Sequence, residues 1–131
     1  MGDADSRRRT VGELLADARA RIHRRSPAAA AACGAQIIDI RSDEQRRRDG
    51  AVPGALCLPR NALEWRVDPD CPHRDPRVAG LEDEVLLLCD EGFQSSLAAA
   101  TLRELGFARA GDVEGGFQAW RAAGLPVTVA Q

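Results

Sequence analysis

One cysteine of this chain stands where a thiol can do chemistry. Cys89 closes the apolar run Val85 to Leu88 and is followed by Asp90, Glu91, Gly92, Phe93 and Gln94, after which Ser95 opens a stretch of helical spacing. A short loop with a glycine, running into a helix N-terminus, lets successive backbone N–H groups curl toward one centre. At a sulfur atom such a nest favours the nucleophilic thiolate over the thiol. The plainer reading, a free cysteine buried at a strand end, is a common use of the residue and stays open on these residues alone. The remaining cysteines, Cys33, Cys57 and Cys71, are widely spaced. The one close approach of ligand-type side chains is Cys71-Pro72-His73, so neither a disulfide framework nor a metal site is expected. Cys57 is expected to pack within a short strand.

The elements that must hold Cys89 follow from periodicity and punctuation. Val85 to Leu88 is continuous and apolar, as in a strand buried on both faces of a parallel sheet. Leu97, Ala98, Thr101, Leu102 and Leu105 form one stripe of a helix running from Ser95 or Ser96 to Gly106. Upstream, Thr10 and Glu13 make a capping box for an amphipathic helix expected to reach about Ile22, and Ser26-Pro27 starts a short helix through the alanines to Gly34. Gln36 to Ile40 and Ala55 to Leu58 read as strands, and Ser42 to Asp49 as a short solvated helix or turn. Asn61 to Arg66 reads as a helical turn and Val67 to Gly80 as an exposed loop. Ala110 to Val113 is a weaker strand, and Gly115-Gly116 opens a last helix from Phe117 to Ala123. Strands alternating with helices give an α/β parallel sheet, whose ligands bind beyond the carboxyl ends of the strands, where Cys89 sits.

Composition removes several function classes. Eighteen basic against twenty acidic residues give a net charge of −2, which leaves no basic excess for nucleic acid. No run approaches the roughly 20 apolar residues of a membrane span, and Met1 to Arg9 reads as a polar tail without an apolar signal core. A cytoplasmic protein is expected.

Four segments in order carry a resemblance: Ile38-Asp39-Ile40-Arg41, Gly50-Ala51-Val52-Pro53-Gly54-Ala55, the strand ending in Cys89 with its loop and helix, and Glu114-Gly115-Gly116-Phe117-Gln118-Ala119-Trp120. From about Ile22 to Val127 the chain resembles the single-domain rhodanese (sulfurtransferase) family. The resemblance implies an α/β fold with about five mostly parallel strands, flanked by helices on both faces. That domain would cover residues 22–131, with residues 1–21 as a tail and an extra N-terminal helix. It implies that Cys89 takes a sulfane sulfur as a persulfide and passes it to a thiophilic acceptor, a thiol or a protein, without cofactor or metal. Asp90, Glu91, Gly92, Phe93, Gln94 and Ser95 would form the active-site loop and anion cradle, with Asp39 and Arg41 supporting from behind.

This chain also departs from the family pattern. Ala51 stands where many relatives have histidine, and the loop is acidic where many carry a basic residue. A dianion such as thiosulfate meets like charge at Asp90 and Glu91, on the order of 1 kcal/mol per exposed pair even in water, so a less charged donor is expected. Arg46, Arg60 and Arg66 are candidates for the pocket rim. His23 and His73 lie outside every motif, so histidine acid–base chemistry is not expected. Cys71 is the one other thiol placed to resolve a persulfide. Gly115-Gly116 is expected to serve close packing. Two other readings are a catalytically inactive rhodanese-like module that binds a partner, and a cysteine phosphatase. The second requires an arginine six residues after the cysteine, and Ser95 stands there.

Overall fold

The computed structural model describes residues 7–129. Met1 to Ser6 of the expected tail lie outside the described residues, and Arg7 to Arg9 are exposed coil. The order of elements is α1 (Val11–Ala20), β1 (His23–Arg25), α2 (Pro27–Ala32), β2 (Gln36–Asp39), α3 (Asp43–Asp49), β3 (Leu56–Cys57), a 3-10 turn (Arg60–Ala62), α4 (Leu63–Val67), β4 (Glu84–Leu88), α5 (Gln94–Glu104), β5 (Arg109–Val113) and α6 (Gly116–Ala122). The strands make one sheet in the order β1-β5-β4-β2-β3 with every pairing parallel. This is the α/β sheet of about five strands that the resemblance implied, with every pairing parallel.

β4 lies at the centre, and each of its residues is buried. Alternation along the strand divides it between two cores: Val85 and Leu87 pack with Ala98, Leu102 and Leu63 on one face, Leu86 and Leu88 with Phe117, Trp120 and Ala30 on the other. A strand covered on both sides has no reason to alternate polar with apolar, which is why it reads as an unbroken apolar run. The capping chemistry read from the sequence is present at the first two helix starts, and the structure adds a third. Thr10 and Glu13 exchange hydrogen bonds at α1, Ser26 Oγ accepts from the Ala29 N–H at α2, and Ser42 pairs with Gln45 at α3. Among the described residues no helix is long and apolar enough to cross a membrane.

Two expectations are corrected. The first helix ends at Ala20 rather than near Ile22, and His23–Arg25 forms an edge strand paired with β5, Arg24 opposite Asp112. A three-residue strand of His-Arg-Arg carries no hydrophobic period, so nothing in its side chains announces it. What holds it is partners: His23 Nε2 and Arg25 Nε meet the buried Glu84 at 2.7 and 2.6 Å. The Arg25 guanidinium draws the Glu84 carboxyl down to about 2 against the opposing effect of burial, with His23 assisting. Close approach is the other requirement, since a Cβ at Gly111 would overlap the His23 carbonyl oxygen. The second correction concerns Cys57, which is exposed. β3 is an edge strand; Leu56 and, just beyond the strand, Leu58 take the buried face, and period two turns the residue between them outward.

Candidate active site

The sulfur of Cys89 sits at the carboxyl end of β4, with the residue 7% exposed. Two backbone amides reach it: Gly92 N–H at 3.1 Å and Ser95 N–H at 3.3 Å, nitrogen to sulfur. α5 has no side-chain cap, so the cysteine sulfur takes the place of a capping acceptor for one of the free N–H groups in its first turn. Gly92 adopts φ +89°, a conformation costly to any residue with a Cβ, and this turns its amide toward the sulfur. The loop backbone is fixed from below by α6: Phe117 N–H donates to the Cys89 carbonyl at 2.8 Å and Gln118 N–H to the Asp90 carbonyl at 3.1 Å. A Cβ on Gly116 would stand 2.7 Å from the Asp90 carbonyl oxygen, so the glycine pair serves close packing of α6 against the loop, as the sequence suggested.

A pocket of about 330 Å³ opens above the sulfur. Cys89, Asp90, Glu91, Phe93 and Gln94 line one side, and Ile40, Arg41 and Gln45 the other. Gly92 and Ser95 lie behind, holding the sulfur. Phe93 is more than half exposed, at 57%, and the Arg19 guanidinium carbon lies 5.9 Å from its ring centre. Asp90 accepts from Gln118 Nε2 at 2.9 Å, and Glu91 is exposed.

Asp39 and Arg41 form a buried pair at the end of β2. Arg41 Nη2 and Nε approach the Asp39 carboxylate at 2.8 and 3.2 Å, and the Arg41 N–H donates to the same carboxylate at 2.9 Å. Arg41 Nη2 also donates to the Gly50 carbonyl at 2.9 Å, tying the strand end to the next loop. The guanidinium carbon stands 3.9 Å from the Phe117 ring centre, and Nη1 is buried with no hydrogen-bond partner among the described residues. Of the three arginines proposed for the rim, Arg60 reaches Gln94 at 3.2 Å, whereas Arg46 donates to the Arg41 carbonyl and Arg66 turns to Asp75. None of the three lines the pocket itself, although Arg60 and Arg46 each contact a residue that does. All four cysteines are free, and Cys33, Cys57 and Cys71 do not line the pocket.

Sequence reasoning missed Asp112, Ser96, Arg19 and Arg24. Asp112 is completely buried and accepts from Ser95 Oγ at 2.7 Å, Ser96 Oγ at 2.8 Å and Arg24 Nε at 2.8 Å. The available signal was Asp112 itself, a carboxylate inside a buried strand, which must find donors. The arginines gave none, because all 18 basic residues of the chain are arginine.

The chain belongs to the rhodanese-like domain family, whose model matches residues 16–123. Among curated proteins, thiosulfate sulfurtransferase GlpE of Pseudomonas putida is 35% identical over 98 residues, covering 75% of this chain and 79% of its own. Thiosulfate sulfurtransferase 16 of Arabidopsis thaliana, a chloroplastic protein, is 30% identical over 96 residues, covering 71% and 79%. Among solved structures, a Rhodopseudomonas palustris protein described as a possible tyrosine phosphatase superposes with a TM-score of 0.84 at 31% identity, covering 96% of this chain and 99% of its own. The polysulfide-sulfur transferase homodimer of Wolinella succinogenes gives 0.68 at 26% identity, covering 86% and 82%.

Proposed function

We propose that the protein is a sulfurtransferase or persulfide carrier that works through Cys89 and takes its sulfur from a donor of low charge. The Cys89 thiolate attacks the outer sulfur of the donor, forming an Sγ–S bond while the donor's S–S bond breaks and its leaving group departs with the electron pair. An acceptor thiolate then attacks the same outer sulfur, and Cys89 leaves as thiolate. No oxidant, metal or cofactor enters either step.

The observation that carries this reading is the pair of amides, Gly92 and Ser95, converging on one sulfur at the C-terminal end of the central strand. Fixed amide dipoles stabilise an anionic sulfur without contributing a titrating group. The donor preference rests on charge. Among the described residues Arg41 is the one cation lining the pocket, and it is committed to Asp39. Asp90 and Glu91 line the same pocket without a cationic partner among the described residues, so its excess charge is negative. The names of the curated relatives point to thiosulfate; the acidic lining argues for a persulfide or other less charged sulfane donor in this chain. Phosphatase chemistry is disfavoured because Ser95 stands where a phosphate-clamping arginine would be, and its hydroxyl is committed to Asp112. Four free cysteines suit a reducing compartment such as the cytoplasm.

Thiol-dependent release of sulfide from several sulfane donors tests the proposal. Turnover that disappears in Cys89→Ser supports it. A folded wild-type protein that turns over none of the donors favours the inactive binding module instead.

A further inference from the structure

The two amides that hold the Cys89 sulfur are tied, on their far sides, to a single buried ion pair. Ser95 gives its N–H to the sulfur and its hydroxyl to Asp112, at 2.7 Å. Gly92 gives its N–H to the sulfur, and its carbonyl accepts from Arg24 Nη2 at 3.1 Å and from Arg19 Nη2 at 2.8 Å. Arg24 grips Asp112 with both ends of its fork, Nε to Oδ1 at 2.8 Å and Nη2 to Oδ2 at 3.3 Å. Ser96 joins the same cluster, donating to Asp112 and accepting from Arg19 Nε at 3.0 Å.

A buried ion pair is by itself weak evidence of added stability. A wholly buried carboxylate with a largely buried guanidinium is costly to desolvate, and apolar residues would fill the same space at less cost. What the pair does supply is a fixed distance between two points of the loop. We infer that Arg24 is a positioning residue for Cys89: by bridging Asp112 and the Gly92 carbonyl it holds the Gly92 and Ser95 amides at the separation that lets both meet one sulfur, with Arg19 of α1 bracing the same carbonyl. The N-terminal segment thereby becomes part of the sulfur site. This rests on Cys89 being the reacting thiol.

The test uses the full chain and reads the reactivity of Cys89 apart from sulfur transfer. Iodoacetamide alkylation at neutral pH, followed by peptide mass spectrometry, is compared in wild type, Arg24→Met, Arg24→Lys and Arg21→Ala. Arg21 contacts Asp17 and Glu104 and does not touch the loop, so it controls for general loosening of the N-terminal segment. Arg24→Met should slow Cys89 alkylation about tenfold, as expected when a preorganised amide is misplaced. Arg24→Lys keeps the charge but lacks the fork, so it should fall between Met and wild type. Arg21→Ala should alkylate at the wild-type rate. In sulfur transfer, the Arg24 variants should lose kcat about tenfold while KM for the donor stays within about twofold. If Arg24→Met unfolds, Arg24→Lys decides the matter. Alkylation of a folded Arg24 variant at the wild-type rate, or an equal slowing in Arg21→Ala, overturns the inference. A wild-type protein that alkylates at Cys89 but accepts no sulfur would sink the sulfurtransferase proposal alone, because the alkylation comparison still reports on Arg24.

Discussion

A Cβ on Gly92 would stand 2.8 Å from the backbone nitrogen of Gly115. The cysteine loop and the turn before α6 are thus pressed together at a point where Gly92 has no room for a side chain, and its left-handed φ adds a conformational reason for glycine. The amide that meets Cys89 and the contact that fixes the loop belong to the same residue.

Replacing Gly92 should therefore damage chemistry more than replacing a residue on the pocket wall. Gly92→Val is expected to lower kcat/KM on the order of a hundredfold, the usual scale for losing a preorganised donor at an anionic centre. Gln94→Ala, which removes only a side chain on the rim, should stay within about threefold. Equal, small losses from both would argue against an amide cradle.

Single-thiol chemistry predicts an asymmetric serine scan. Cys89→Ser should abolish transfer and keep the fold, while Cys33→Ser, Cys57→Ser and Cys71→Ser retain it. Cys57 is the most open of the four, yet partial desolvation raises its thiol above the ordinary range, so exposure does not make it the better nucleophile. If Cys71→Ser proves as inactive as Cys89→Ser, a resolving thiol must be added to the scheme.

Charge in the pocket should discriminate between donors. Glu91→Lys replaces one repulsion by one attraction, so kcat/KM for thiosulfate should rise about tenfold, with little change for a neutral sulfane donor. Added salt should shrink the gain. Asp90→Asn should act in the same direction but less, since that carboxylate is already bonded to Gln118. A wild-type enzyme that prefers thiosulfate would contradict the argument.

The sheet edge makes its own prediction in acid. Glu84, ordinarily near 4.5, is held to about 2 in the folded protein by Arg25 and His23. A carboxylate lowered on folding contributes stability above its unfolded value, and that contribution is lost as pH falls from about 4.5 toward 2. Glu84→Gln should thus destabilise at neutral pH by on the order of 2 kcal/mol, allowing for screening around the half-exposed arginines. The gap to wild type should close as the pH drops through that window. Denaturant unfolding at several pH values measures it, and a gap independent of pH would show that the ion pairs contribute nothing.

Much of this site was legible in the chain because its signals are local. An unbroken apolar run ending in cysteine, a glycine in the next few residues and a 3.6-residue stripe behind them are enough to place a thiol at a strand end before a helix, and the structure puts Cys89, Gly92 and Ser95 there. Residues whose roles depend on partners far away in sequence were not legible. Arg24 is one arginine among many until β1 is known to lie beside β5, which brings it opposite Asp112, 88 positions away. Cys57 was misread for a similar reason: its outward orientation follows from β3 being an edge, and position in a sheet is a property of topology rather than of the residues in the strand.

The central claim, that Cys89 carries transferable sulfur, is tested most directly by intact-protein and peptide mass spectrometry after incubation with a persulfide donor. The account predicts a mass increase of one sulfur atom, confined to the Cys89 peptide, removed by cyanide or by an acceptor thiol, and absent from Cys89→Ser. No added sulfur on a folded protein with any of several sulfane donors, or a sulfur found instead on Cys33, Cys57 or Cys71, would contradict it.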